Sequence, residues 1–455
     1  MELFKLIKNY FSNNEKGKET APLEDDFILT DEISNAIEII ESKDFKILFI
    51  TGKAGTGKST FLKYLKNSTL RSSAVFLAPT GVAAVNIGGQ TLHSFFKLPP
   101  RFIDEEDIEK SKRPGIYQKI EYIIIDECSM LKADTFDAIN RSLQLNRNNS
   151  RPFGGVKIIL FGDLYQLPPV MDRETDSVYK KKNYKTPYFF SSYIFKLLHE
   201  EIESVELTKV FRQNDDNYIN ILDDIRSYNL TNDLMSILDQ KIISNGDNLP
   251  DNMTILTTTN KLAKKYNDEN LKKLKHPAIK YKADIEGAFN EKDFPTDEEL
   301  ELKKNAKIIF IKNDPQKRWI NGTIGTVWEV HHDHIVAQVK NSEYEVYPEK
   351  WEKIQYQIID NKLSHVVVGT YRQLPVRLGW AITIHKSQGL TLDNILVDST
   401  SKAFAPGQIY VALSRCRSFN NLFLEGAITP SDIIINDDVN RFISYMKRKK
   451  LFLAN

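Results

Sequence analysis

The sequence predicts an α/β protein of two parallel-sheet domains, the second interrupted by a small β-barrel. Three observations carry this. Short apolar runs that end on a polar or turn residue recur with helical stretches between them, which suits strands buried on both faces of a parallel sheet. The first of these runs leads through a glycine-rich loop into a helix. A later stretch, 313–377, instead alternates apolar and polar residues as barrel strands do.

Residues 1–27 read as a poorly ordered lead-in with a short helix. The first domain is expected over 28–203. Its strands are "FKILFI" (45–50), "SAVFLAPT" (73–80), "YIIIDE" (122–127) and "VKIILFGD" (156–163), and "STFLKYLKN" is a helix. The second domain is expected over 204–312 and 378–455. Its strands are "SVELT", "TILTTT" (254–259), "AKIIFIK" (306–312), "LGWAITI" (378–384), "NILVDS" (394–399) and "NLFLEG" (421–426), with helices at 260–274 and 406–415. Polar residues at strand ends then line the carboxyl edges of both sheets, where α/β ligands bind.

Composition narrows the class. The chain has 455 residues, enough for two to four domains at about 100–200 residues each. A hydrophobic content of 41% supports real cores. The net charge of +1 excludes a globally basic coat but not local basic surfaces. Cys128 and Cys416 match no zinc or disulfide spacing and fit a reducing compartment. No apolar run reaches the ~20 residues of a bilayer span. The expectation is a soluble intracellular protein, cytoplasmic or nucleoid-associated, with no membrane partner.

"GKAGTGKST" (52–60) fits G-x-x-x-x-G-K-[ST] between a strand and a helix. Such a loop cradles phosphates with backbone N–H groups and a helix start. Gly52, Ala54, Gly55, Thr56, Gly57, Lys58, Ser59 and Thr60 are the candidate nucleotide contacts. Lys58 reaches the β- and γ-phosphates, and Ser59 ligates Mg²⁺. "IIIDECSM" (123–130) is the expected partner: Asp126 holds Mg²⁺, and Glu127 takes a proton from the attacking water. An acidic pair here favours hydrolysis over phosphoryl transfer to another substrate. In "FGDLYQLPPV" (161–170), Asp163 or Gln166 is placed to sense the γ-phosphate.

Taken in order, these segments resemble the PIF-type group of superfamily 1 DNA helicases, relatives of RecD and Dda, over roughly 28–430. "APTGVAA" (78–84), "GGQTLHSFF" (88–96), "LTKVFRQ" (207–213), "AITIHKSQGLTLD" (381–393), "YVALSRCRS" (410–418) and "RPFGGVKIILFGD" from Arg151 complete the set. The resemblance implies two RecA-like domains with ATP and Mg²⁺ between them. It also implies a wedge element near 97–115, an SH3-like insert, and ATP-driven 5′-to-3′ movement on single-stranded DNA with duplex, fork or quadruplex opening. Repair, recombination, replication and telomere maintenance all use such a motor. It further implies that Arg212 and Arg415 reach the cleft from the second domain, and that Gln388 and Gly389 report nucleotide state. The adenine-reading Gln common before the P-loop is missing; Asn35 is a stand-in. Alternatives are an RNA helicase of the Upf type, against which "PFGG" and the short insert argue, and an ATP-switched DNA-binding subunit.

Single strands are gripped by backbone contacts and stacking. Thr80 and Gly81 are candidates for phosphate, and His93 and Phe95 for bases. In the insert, Trp319 beside Lys317 and Arg318 is an expected exposed contact. Thr383, His385, Lys386 and Ser387 suit the DNA backbone. The lysine-rich 261–282 and the "KRKK" at 447–450 are solvated faces or basic contacts. Single-stranded, forked or structured DNA is the expected partner of a chain that is monomeric in solution.

Overall fold

The computed structural model describes residues 27–453, apart from 214, 245–248, 251 and 401; the expected lead-in lies outside them up to residue 26. The first sheet holds β1 (Ile47–Gly52), β2 (Ala74–Ala78), β3 (Gln90–Thr91), β4 (Tyr122–Ile125), β5 (Lys157–Phe161) and β6 (Ile202–Leu207). All pair in parallel, in the order β3-β2-β4-β5-β1-β6. Every residue of β1, β2 and β4 is buried, which is why they read as unbroken apolar runs. "SVELT" was expected to open the second domain; it lies in β6, beside β1. Its alternating burial is that of an edge strand.

β7 (Thr254–Thr257) starts the second parallel sheet, which closes with β18 (Ala381–Thr383), β19 (Ile395–Val397) and β20 (Leu422–Leu424), in the order β18-β7-β19-β20. Between them lie β8 (Ala278–Lys282), β9 (Asp284–Gly287), β10 (Glu299–Lys303), β11 (Lys307–Phe310), β12 (Ile324–Val330), β13 (Ile335–Val339), β14 (Ser342–Val346), β15 (Glu349–Ile359), β16 (Lys362–Gln373) and β17 (Val376–Leu378). These pair only antiparallel. The β-rich insertion therefore begins earlier than residue 313. β11, expected in the second parallel sheet, sits between β12 and β17. A short run buried on both faces looks alike in either kind of sheet.

Trp319 corrects a second expectation. It is 6% exposed, stacked on Phe310 at 4.3 Å between ring centres, with Arg318 over its ring at 4.4 Å. Asp314 holds that guanidinium at 2.6 Å. Trp319 is thus a core residue of the insertion and not an exposed DNA platform. Trp319→Ala is expected to cost about 3–5 kcal/mol, read as a lower midpoint of thermal unfolding. An unchanged midpoint with weakened DNA binding would restore the nucleic-acid role.

Two elements tie the insertion and the C-terminus back to the first domain. The hairpin of β15 and β16 places Ile354 and Tyr356 in the first domain's core, and the Tyr356 hydroxyl accepts from the Phe76 amide at 2.9 Å. The helix Asp437–Leu453, expected with the second domain, buries Val439, Phe442, Ile443 and Met446 in that same core. Phe442 stacks on Phe190 at 4.6 Å, and Lys447 pairs with Glu206 at 3.2 Å. The basic "KRKK" thus includes a residue that anchors the helix; Lys449 likewise donates to the Ile202 carbonyl at 2.8 Å. The "PFGG" stretch is structural too: the Phe153 amide donates to Asn140 at 2.7 Å and Arg147 to the Gly154 carbonyl at 2.8 Å.

Candidate active site

Parallel strands put their carboxyl ends on one edge, so the loops after β1, β4 and β5 converge. After β1 the chain turns through Gly55 and Gly57, both left-handed, into the helix Lys58–Asn67. Gly55 is required: a Cβ there would stand 2.5 Å from the Arg212 Cβ. Lys58 Nζ donates to the Gly52 carbonyl at 2.5 Å and to the Lys53 carbonyl at 2.8 Å. Burial brings this ammonium down to about 8, although Asp163 and Glu127 pull the other way.

After β4, Asp126 and Glu127 enter the cleft. Burial raises both carboxyls, and Glu127's charge raises Asp126 further. Glu127 adopts φ 50°, ψ 46°, a left-handed backbone unusual for a side chain of this size and common at functional sites. Its amide donates to Asp126 Oδ1 at 2.9 Å. Cys128 is buried beside the pair and behaves as packing.

After β5, Asp163 is 1% exposed and has three side-chain partners, besides the Tyr165 amide, which donates to Oδ1 at 3.2 Å. Tyr410 OH donates to Oδ2 at 3.1 Å, Arg226 Nη2 to Oδ1 at 3.1 Å, and Gln166 Nε2 lies 3.5 Å from Oδ2. Burial alone would raise this carboxyl; Arg226 and Lys58 outweigh it and hold it below its usual value. Arg226 and Tyr410 both come from the second domain. The Tyr410 hydroxyl also accepts from the Ala54 amide at 3.1 Å, so one phenol touches the P-loop and Asp163 together. Gly407 allows this approach, since a Cβ there would meet the Tyr165 carbonyl at 2.2 Å. Lys53 pairs with Asp223 across the same boundary.

Neither Arg226 nor Tyr410 is marked as a site residue by the sequence alone. Arg226 ends a helix, Asp216–Ser227, that matches no motif. Tyr410 lies inside a quoted motif, but only the helix orientation shows where its hydroxyl points.

The two expected arginines are placed differently. Arg212 is part-buried against the P-loop, its Nη1 donating to the Ser414 carbonyl at 3.3 Å. Arg415 is 1% exposed; its hydrogen bonds stay within its own domain, while its charge acts on Glu127 across the cleft. It donates to the Val411 carbonyl at 2.9 Å, to Ser414 Oγ at 2.9 Å and to the Ser387 carbonyl at 3.4 Å. The arginine that spans the cleft to a first-domain carboxylate is Arg226.

The DNA candidates divide. Thr80 caps the helix Gly81–Asn86, accepting from Ala83 at 3.3 Å. Asp293 crowds the start of that helix, 2.0 Å from a Cβ at Gly81, and pairs with Lys353 at 2.6 Å. Phe95 is a correction: it is buried between Phe96, Tyr117 and Tyr356 and is not free to stack on bases. His93 is part-buried, and burial lowers its pKa. Thr383 and Ser387 are also buried; the Thr383 hydroxyl accepts from the Lys386 amide at 3.2 Å and Ser387 Oγ donates to the Ile384 carbonyl at 2.7 Å. They shape the turn, while Lys386 and Gly389 are exposed. The Gln388 side-chain nitrogen is buried with no hydrogen-bond partner. His385 stacks with Phe404, which is 62% exposed.

A P-loop facing an acidic pair, with a second parallel-sheet domain reaching into the same cleft, defines an NTP-driven helicase motor of two RecA-like domains. Residues 29–245 match the family model of the PIF1-like helicases. The chain is 31% identical over 425 residues to the ATP-dependent DNA helicase Pif1 of Bdellovibrio bacteriovorus, covering 91% of each. The structure of Bacteroides sp Pif1 in complex with ADP-AlF4 superposes with a TM-score of 0.87 at 35% identity, over 93% of this chain and 98% of that one. Bacteroides Pif1 bound to ssDNA gives 0.67 at the same identity, over 93% of this chain and 98% of that one. The chain belongs to the PIF1-like helicase family.

Proposed function

We infer that the chain is an ATP-dependent DNA helicase that moves 5′ to 3′ along single-stranded DNA and opens duplex or forked DNA ahead of it. The observation that carries this reading is the network from Ala54 through Tyr410 and Asp163 to Arg226. It joins the phosphate loop to the second domain, so a change at the γ-phosphate alters how the two domains meet. Glu127, its pKa raised by burial, is suited to accept the proton of the attacking water. Ser59 and Asp126 fit a Mg²⁺ that arrives with nucleotide. Among the described residues no three His, Cys, Asp or Glu side chains cluster as a metal site, and Mg²⁺ in such clefts takes most of its ligands from phosphate and water. When bound, Mg²⁺ neutralises phosphate charge. Among the described residues, no helix is long and apolar enough to cross a membrane.

The test of direction uses partial duplexes with a 5′ DNA tail, a 3′ DNA tail or a 5′ RNA tail. ATP-dependent opening of the 5′-DNA-tailed substrate is expected. Opening of only the 3′-tailed duplex would reverse the polarity, and equal use of the RNA tail would favour the Upf-type reading. In the late polar turn, Lys386→Ala is expected to weaken single-strand binding and flatten its salt dependence by about one unit of slope. Gln388→Ala is expected to spare binding and reduce DNA-stimulated turnover. The opposite pattern in binding and phosphate-release assays would exchange the two roles.

A further inference from the structure

The first domain and the insertion's hairpin enclose a cleft of about 650 Å³, within the range of small-ligand sites. Its walls carry Lys66, Ser68 and Arg71 from the end of the helix Lys58–Asn67 and the turn after it, and Tyr356, Ser364 and His365 from the hairpin. Among the described residues no carboxylate lines it; the acid whose charge acts on His365 is Glu352. Lys66 is fixed, its ammonium donating to the Ile87 carbonyl at 2.6 Å and the Gly88 carbonyl at 2.8 Å. The Arg71 guanidinium pairs with no acid among the described residues. Three basic side chains and the hydroxyls of Ser68, Tyr356 and Ser364 therefore converge from two parts of the chain on one cleft.

We propose that this cleft is a second phosphate-binding site, separate from the P-loop, which takes a phosphate group between Arg71 and Lys66 on one wall and His365 and Ser364 on the other. The chemistry fits. A guanidinium offers a planar fork to phosphate oxygens and an ammonium a point charge. The cost of crowding these cations is visible: burial, then the charge of Arg71, brings Lys66 down to about 8, and burial, Arg71 and Lys66 all lower His365. An anion between them relieves that repulsion. Because the walls belong to different parts of the chain, an occupant also fastens the hairpin to the first domain. The phosphate can belong to a nucleic-acid strand or to a free small anion, and the two are separable.

The test uses the full chain with Lys58→Ala, which removes the P-loop's own grip on phosphate. Pyrophosphate and a short oligothymidylate without terminal phosphates are titrated separately by calorimetry. Saturable binding is expected, weakened about tenfold by adding Arg71→Ala or His365→Ala. Both side chains are exposed, so the thermal midpoint should hold. Weakening for the oligonucleotide identifies a strand phosphodiester as the occupant; weakening for pyrophosphate alone identifies a free phosphate. If neither variant changes either affinity, or if no binding survives Lys58→Ala, the proposal is wrong.

Discussion

Lys58→Ala is expected to abolish ATP turnover, lowering it by on the order of 10³ or more, while single-strand binding at low salt survives. Phosphoryl transfer relies on positioning and on cations at the transferring group. Lys58 is the P-loop's cation at the start of the helix Lys58–Asn67, and its ammonium already stands over the loop's carbonyls at 2.5 and 2.8 Å. Alanine leaves the loop but removes the charge. The candidate DNA contacts lie in other loops, after β2 and β18, so single-strand binding is expected to change little. Phosphate release and fluorescence anisotropy report the two quantities. Turnover within tenfold of the parent would remove the P-loop from the chemistry.

Arg226→Ala is the second large effect. It leaves Asp163, 1% exposed, without its guanidinium. Removing one partner of a buried ion pair costs about 3–5 kcal/mol, and the loss here falls on the contact between the domains. Thermal stability and DNA-stimulated ATPase should both fall. Asp163→Asn added to Arg226→Ala should return part of the stability, because the uncompensated charge is gone. Additive losses in the double variant would show that the pair is not coupled. The pH dependence has a definite sign. Asp163 titrates below its usual 3.8 when folded, so its contribution is present at neutral pH and is lost on acidification through the folded value. The gap between parent and Arg226→Ala therefore narrows in acid.

What could be read from the chain alone followed from local chemistry. The P-loop, Asp126, Glu127 and Asp163 each sit at the end of an apolar strand, and both the strand and its polar terminus are visible in a few residues. Arg226 and Tyr410 gain their importance from a contact more than 60 and 240 residues away respectively, which no local pattern encodes. Trp319 was misread for a related reason. "KRWING" looks polar and open, yet the ring is covered by Phe310 from a neighbouring strand, and its charged neighbour Arg318 is folded over it. Phe95 went the same way, because the residue that covers it, Tyr356, belongs to the distant hairpin. The strands β6 and β11 were recognised as strands and assigned to the wrong sheets, since partner choice depends on topology and not on composition.

The return of the helix Asp437–Leu453 to the first domain has a mechanical meaning. The polypeptide leaves the first domain after β6 and comes back at this helix, so everything between is suspended from two covalent attachment points. A body hung from one point can swivel in any direction. One hung from two keeps mainly the rotation about the line joining them, like a bucket on its handle. The hairpin of β15 and β16, seated in the same core, adds a third, non-covalent attachment, so the ways in which the second domain can shift over the P-loop are few.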